Sequence, residues 1–123
     1  MGRGSIPSVL MLLFAGACGR AAADDAGASR IGNPELGRVA IARYGCGSCH
    51  LIPGVRGADG MVGPPLIQWS RRAYIAGRLP NTPSDLVQWI VAPQAIEPGT
   101  AMPMLGVSVD EARNIAAYLY TLR

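Results

Sequence analysis

Five consecutive residues, Cys46-Gly47-Ser48-Cys49-His50, constrain the folding of this chain more than any other feature. Two thiols three positions apart can each add to one vinyl group of a haem, and an imidazole directly after them can bind the iron from one face. A chain bonded in this way has to fold around a flat ligand. The pentapeptide therefore predicts one covalent haem c, attached through Cys46 and Cys49, with His50 as an iron ligand.

Three other interpretations of the pentapeptide are open: half of a zinc site, a thioredoxin-like redox pair, or a chance cluster. Structural zinc takes four thiolate or imidazole ligands, but His50 is the only histidine and Cys18 is the only other cysteine. A thioredoxin motif opens a helix after a strand within an alternating strand-helix pattern, and no such pattern flanks these residues. The sequence therefore favours haem.

Length and charge limit the remaining possibilities. The 123 residues suffice for one small domain, whose thin core a covalently held macrocycle would enlarge. All 11 basic residues are arginines, and they are dispersed, with no basic run longer than Arg71-Arg72. Proteins that bind nucleic acids concentrate their basic residues in a patch or stripe. The sequence therefore predicts no nucleic-acid partner.

The N-terminus has the features of an export signal. Arg3 is followed by an apolar stretch at residues 6–17 and then by small residues. The apolar stretch is shorter than a membrane-spanning helix requires. We expect a signal peptide, a tether and a folded haem domain, at residues 1–17 (or 1–23), 18–30 and 31–123.

Cys18 ends a box, Ala15-Gly16-Ala17-Cys18, that is similar to a lipoprotein cleavage site, although Ala15 stands where leucine is usual. Lipidation would account for a single leftover thiol in an exported protein. Ordinary cleavage after Ala17 or Ala23 also satisfies the rule of small residues at a signal cleavage site. Both routes predict a periplasmic protein of a Gram-negative bacterium, with a lipid anchor to the membrane at Cys18 in the first case.

Helix start signals predict an all-α fold of three to five helices joined by long Gly/Pro loops. Asn33, Thr82 and Ser108 are N-cap residues, each followed by residues typical of a first helical turn. The first helix is expected to end near Tyr44 and the second to stop before Pro93. The third is expected to continue to the end of the chain.

The segments between these helices give weaker signals. Residues 51–66 are rich in glycine and proline and are expected to form a loop, and residues 67–76 are expected to form a short helix. No strand pattern occurs. Gly37 lowers the helix propensity of the first helix, so it indicates a close crossing by another helix.

The second axial ligand of the iron is expected to be a methionine, because no second histidine exists. The candidates are Met61, Met102 and Met104. Met61 follows His50 closely, which leaves a short path from one haem face to the other. Met102 is followed by Pro103 on a stretch that prolines stiffen. We therefore expect Met102 to bind the iron and Met104 to fill a gap in the core.

Seven segments between Gly37 and the C-terminus resemble a known family, the class I cytochromes c. The similarity is most specific to the single-haem domain fused to subunit II of caa3-type terminal oxidases and to its stand-alone relatives. It implies the class I cytochrome c fold, with terminal helices that cross at Gly37. The segments are Cys46-Gly47-Ser48-Cys49-His50, Gly63-Pro64-Pro65-Leu66, Arg71-Arg72, Leu79-Pro80-Asn81-Thr82-Pro83, Trp89-Ile90-Val91-Ala92-Pro93, Pro98-Gly99-Thr100-Ala101-Met102-Pro103 and Ala117-Tyr118-Leu119.

The resemblance also implies contacts to the haem. The residue matching Met102 is the distal iron ligand in this family, and the carbonyl of Pro64 would accept a hydrogen bond from the proximal imidazole. Arg72 would approach a haem propionate, Thr100 would hydrogen-bond one, and Trp89 would pack in the distal half of the pocket. Mitochondrial members dock through a ring of lysines, and this chain contains no lysine.

These residues together favour a carrier of single electrons, because an iron with both axial positions filled has no position open for substrate. A haem enzyme would need an open distal position and an acid-base group, and no histidine remains for that role. We therefore expect no enzymatic activity. A haem-based redox or gas sensor with a displaceable Met102 stays open. The expected partners are redox proteins of a respiratory chain, an oxidase or a dehydrogenase, and the domain itself is expected to be monomeric.

Overall fold

The structure, a computed structural model, describes Met1 and residues 27–123, so the predicted signal peptide and Cys18 lie outside the described residues. In this part of the chain a helical stretch at residues 27–31, where Ala28 is buried, precedes the main elements. The mostly helical content agrees with the predicted all-α class. The main elements are α1 (Pro34–Arg43), α2 (Pro83–Val91), α3 (Pro93–Ile96), α4 (Val109–Thr121), 3-10 turns at Cys46–Ser48 and Trp69–Arg71, and strands β1 (Tyr74–Ile75) and β2 (Leu79–Pro80).

The three longest helices begin at the predicted N-cap residues. The side chain of Asn33 accepts hydrogen bonds from two amides of the first turn of α1, at 3.0 and 3.1 Å. Thr82 Oγ1 accepts one from the amide of Asp85 at 3.2 Å. Ser108 and Glu111 form a reciprocal capping box at the start of α4. Each cap satisfies amides that have no partner inside the helix, so these three predictions are confirmed.

α1 and α4 cross in direct backbone contact at Gly37. A Cβ atom at this position would lie 1.9 Å from the carbonyl oxygen of Asn114, so a larger residue would separate the helices. The side-chain oxygen of Asn114 also accepts a hydrogen bond from the amide of Asn33 at 2.8 Å. The crossing buries Ile41 and Ile115 almost completely. The close crossing predicted from Gly37 is confirmed.

A cluster of polar side chains joins the end of α1 to the start of α4. The carboxylate of Glu111 accepts hydrogen bonds from the Tyr44 hydroxyl and the Arg43 guanidinium. The hydrogen bonds from Tyr44 and then Ser108 lower the pKa of Glu111 from its ordinary value of 4.5 to about 2. The two terminal helices are therefore linked by charge as well as by packing.

The predicted short helix at residues 67–76 is wrong. A single 3-10 turn, Trp69–Arg71, occupies the middle of this segment, and β1 follows it. Gln68 and Ala76, at its two ends, have positive φ values of 50°. A left-handed residue cannot continue an α-helix, so the helical propensity of the residues between them is overridden.

The prediction that the chain lacks strands is also wrong. β1 and β2 form an antiparallel hairpin in which Tyr74 pairs with Pro80 and Ile75 pairs with Leu79. An isolated bridge also joins Leu51 to Asp59 in the loop that follows His50. Strands of two residues are too short to show the alternation of polar and apolar residues by which a strand is recognised.

The hydrophobic core lies between α1, α2 and α4, beneath the 3-10 turn at Trp69–Arg71. Its largest fully buried side chains include Ile41, Ile52, Ile75 and Leu86. Among the described residues, no polar or charged residue is buried. None of the helices in this part of the chain has the length and apolar composition needed to cross a membrane.

Candidate functional site

The pentapeptide folds into one tight turn directly after α1. Gly45, with a φ of 69°, separates the helix from the 3-10 turn that begins at Cys46. The amides of Cys49 and His50 both donate to the carbonyl of Cys46, at 3.2 and 3.0 Å. Both cysteines are free thiols with intermediate exposure. A single turn thus presents both thiols and the imidazole.

The surroundings of this turn disfavour a thioredoxin-like pair. Burial raises the pKa of the Cys46 thiol, whereas a thioredoxin-like pair needs a lowered thiol pKa at the start of a helix. The turn follows the end of a helix and no strand precedes it within residues 27–45. No three His, Cys, Asp or Glu side chains among the described residues are grouped so that they could hold a metal ion.

The loop at residues 51–66 packs onto this turn through its backbone. The amide of Gly60 donates to the carbonyl of Gly47 at 3.0 Å. A Cβ atom on Gly47 would lie 2.5 Å from Ala58 Cα, and one on Gly60 would lie 2.4 Å from the carbonyl oxygen of Ser48. Side chains at these two glycines would push the layers apart. Gly47 and Gly60 therefore allow a close approach of two backbones.

The imidazole of His50 is held in one orientation. Its Nδ1 lies 2.8 Å from the carbonyl oxygen of Pro64, and because a carbonyl can only accept, Nδ1 carries the proton. A Cβ atom on Gly63 would lie 2.3 Å from His50 Cε1, so the ring is packed against the backbone of this glycine. The amide of Gly63 donates to Cys49 at 2.7 Å. Nε2 is thereby left as the unprotonated ring nitrogen, which can bind a metal.

A second group of residues lies around Arg72, which the sequence predicted as a site residue. Its guanidinium stands 5.2 Å from the centre of the Trp69 ring and donates to the carbonyl of Pro65. The side-chain amide of Asn81 donates to the carbonyls of Trp69 and Arg72, both at 3.0 Å, and accepts from the Tyr120 hydroxyl. Trp69 Nε1 is buried and has no hydrogen-bond partner among the described residues. The Trp69 side chain also interacts with the Tyr120 hydroxyl, so Arg72 is the group of this cluster that could meet an anion.

The three candidate methionines differ in their surroundings. Met61 and Met104 are 91% and 59% exposed, so the expectation that Met104 fills a gap in the core is wrong. Met102 is partly buried and packs against the hydrophobic core. The amide of Met102 donates to Thr100 Oγ1 at 3.2 Å. Of the three, Met102 has the surroundings that an interior ligand requires. The role of Thr100 at a propionate stays a prediction, because its hydroxyl is used here to hold Met102.

Trp89 is a core residue, 8% exposed, on α2. Its predicted place in the distal half of a haem pocket stays a prediction. Sequence reasoning missed Trp69 and Asn81 as members of the site. Trp69 is indistinguishable in sequence from an ordinary core aromatic residue. Asn81 belongs to the segment that signals the start of a helix, so it gave no sign of a role in the site.

The chain is similar in sequence to cytochrome c oxidase subunit 2 of Alkalihalophilus pseudofirmus, with 32% identity over 88 residues. The aligned segment is 71% of this chain and 25% of the relative, so the chain spans about a quarter of the length of that curated relative. No protein-family model matches the chain. No solved structure gave a significant match. The similarity supports a relationship to an oxidase subunit.

Proposed function

We propose that this chain is a monohaem c-type cytochrome with the class I fold, which transfers single electrons in a respiratory chain. One observation carries the proposal: a single turn presents two free thiols and an imidazole whose Nδ1 is bonded to the Pro64 carbonyl. This arrangement leaves His50 Nε2 for iron and both sulfur atoms for the vinyl groups. The similarity to an oxidase subunit supports the respiratory setting.

The residues present fit a covalent haem c. Cys46 and Cys49 would form the thioether bonds, and His50 and Met102 would bind the iron from its two faces. A bound haem would supply one-electron chemistry, because its iron alternates between the ferric and ferrous states. The Pro64 carbonyl fixes the tautomer and the orientation of the imidazole in both states.

Other residues of the chain would bind and enclose the remainder of the haem. Arg72 offers a cation, which suits a propionate carboxylate. The Thr100 hydroxyl would hydrogen-bond a propionate. Trp89 would exclude water as part of the apolar wall. A dry pocket with two fixed ligands favours electron transfer, because little has to move when the iron changes its charge.

We propose no enzymatic activity, since both axial positions would be filled and the chain has no further histidine for acid-base work. The proposed partner is a redox protein of a respiratory chain. A terminal oxidase is preferred to a dehydrogenase, because the relative is an oxidase subunit. An oxidation assay tests this preference. Membranes that contain a terminal oxidase should oxidise the reduced protein, and they should do so without a dehydrogenase.

We also propose that the chain works outside the cytoplasm, where c-type haem is attached in bacteria, with Cys18 as a lipid anchor. The apolar stretch at residues 6–17 and the box ending in Cys18 support this. The full chain should fractionate with membranes, and Cys18→Ser should release it. Recovery of the natural chain as a soluble periplasmic protein would rule out the anchor and leave export in place.

The optical spectrum tests the electron-carrier function. The ferric protein should show the far-red charge-transfer band of a methionine-iron bond, and the ferrous spectrum should not change under carbon monoxide. A sensor would also bind haem, but its methionine would give way to carbon monoxide. A denaturing gel stained for haem first tests whether the haem is covalently attached. A chain without covalent haem would refute the proposal as a whole.

A further inference from the structure

The β-hairpin places one arginine in a fixed position. Ala76 and Gly77, between β1 and β2, have φ values of 50° and 67°, and the amide of Arg78 donates to the carbonyl of Ile75 at 2.9 Å. Two left-handed residues in succession are typical of the tight turn whose twist matches that of the flanking strands. Ile75 is 1% exposed and anchors the hairpin in the core. Arg78 therefore extends from a rigid support.

The partner of this arginine is Glu97, at the end of α3. The Arg78 guanidinium forms an ion pair with the Glu97 carboxylate, which is 28% exposed. The amide of Glu97 donates to Pro93 at 2.9 Å, and its carbonyl accepts from the amide of Thr100 at 3.0 Å. A Cβ atom on Gly99 would lie 3.7 Å from Glu97 Oε1, so the carboxylate lies against the turn that follows it.

Glu97 thereby begins a short series of contacts that ends at the methionine. Its carbonyl holds the Thr100 amide, and the Thr100 hydroxyl accepts from the Met102 amide at 3.2 Å. Arg78 is the only side chain in this series that comes from a distant part of the sequence. The turn at residues 97–100 has an anchored end as long as the ion pair is formed.

We propose that Arg78 and Glu97 are positioning residues for Met102, and that their ion pair slows the departure of the thioether from the iron. This proposal rests on the proposed function, because it concerns the ligand that Met102 would supply. An ion pair with one exposed partner adds little to global stability. It acts instead on a local opening of the turn, which requires much less free energy than unfolding of the domain.

The test is the rate at which imidazole displaces the methionine from ferric iron in the full-length, haem-loaded protein, followed through the loss of the far-red band. Arg78→Gln should raise this rate roughly two- to fivefold, as expected for loss of one partly exposed pair. Hydrogen exchange of the Thr100 and Met102 amides should accelerate by a similar factor. Added salt should raise the wild-type rate toward that of the variant and change the variant little.

The matched control is Arg38→Gln, which breaks an exposed ion pair with Glu35 on α1. It should leave both the displacement rate and the two amides unchanged. The charge swap Arg78→Glu with Glu97→Arg should return the rate toward the wild-type value, which a general loss of packing would not do. The positioning role is overturned if Arg78→Gln and Arg38→Gln behave alike while the far-red band is present. A haem-loaded protein without that band would overturn the ligand assignment first, and this role with it.

Discussion

Two segments would carry the two iron ligands, and they are held in different ways. The histidine segment, residues 46–66, is fixed by backbone against backbone, as in the 3.0 Å bond from Gly60 to Gly47, and by the packing of the His50 ring on Gly63. The methionine segment, residues 97–107, is held by short-range bonds to Glu97 and Thr100 and by one ion pair.

The two segments should therefore differ in how easily they open. Backbone layers in direct contact cannot part without opening the fold, whereas short-range bonds within one turn and a single ion pair can break one at a time. We therefore expect the histidine side to remain bound under conditions in which the methionine side opens. At Gly47 and Gly60 of the first segment, added atoms would collide with neighbouring backbone.

The largest effect should come from removal of the covalent bonds. Replacing both Cys46 and Cys49 by Ser should abolish haem attachment and leave the domain largely unfolded, because a small core then lacks its centre. Circular dichroism and haem staining measure the two outcomes. A folded, haem-free double variant would show that the histidine segment is stable by packing alone.

The next effect compares one glycine from each segment. Gly63→Ala places a methyl group 2.3 Å from His50 Cε1 and should cost about 1–3 kcal/mol of unfolding free energy, as overpacked interiors do. Gly99→Ala meets Glu97 Oε1 at an ordinary 3.7 Å and should change stability by less than about 0.5 kcal/mol. Denaturant unfolding of the haem-loaded proteins gives both values. Equal costs would remove the contrast between the segments.

Loss of the thioether should change the iron without unfolding the chain. Met102→Ala should open the sixth position, let carbon monoxide bind and lower the reduction potential, because a methionine ligand raises it relative to histidine alone. Met104→Ala and Met61→Ala are the controls, since both side chains are largely exposed. If Met104→Ala abolished the far-red band and Met102→Ala kept it, the ligand would be Met104.

The smallest effect concerns Glu111, which links α1 to α4. Because the folded pKa of Glu111 is lowered to about 2, its ionised form adds stability above its ordinary pKa of 4.5, and this contribution is lost as the pH falls toward 2. Glu111→Gln should lower the urea midpoint at neutral pH, and the gap to wild type should close in acid. Asp110→Asn, in the same helical turn but 88% exposed, is the control. If the difference in urea midpoint persisted near pH 2, the charge of Glu111 would not be its cause.

The sequence predicted features that depend on neighbouring residues. The caps at Asn33, Thr82 and Ser108 are local bonds between a side chain and the amides of the next turn, so their signals are local as well. The crossing at Gly37 was predictable because a glycine inside a helix needs a reason. The helix that begins at Pro93 was missed, since a proline can end one helix and open another.

Contacts between distant residues left no signal of this kind. The hairpin depends on Ala76 adopting a left-handed conformation, which alanine seldom does on its own. Asn81 connects Trp69 to Tyr120 only after the chain has folded back. The pair between Arg78 and Glu97 arises in the same way. The sequence therefore predicted the helix caps and the helix crossing, but not the contacts by which the surroundings of the pentapeptide are held.

The contact between the first and last long helices also sets the order of events during synthesis. A ten-residue helix such as α1 is marginal in water by itself, and its partner α4 comes after the other described elements in chain order. The backbone contact at Gly37 can therefore form only after α4 has been made. Until that moment Cys46 and Cys49 belong to an unfolded chain, so their thiols stay accessible to whatever modifies them before the fold closes.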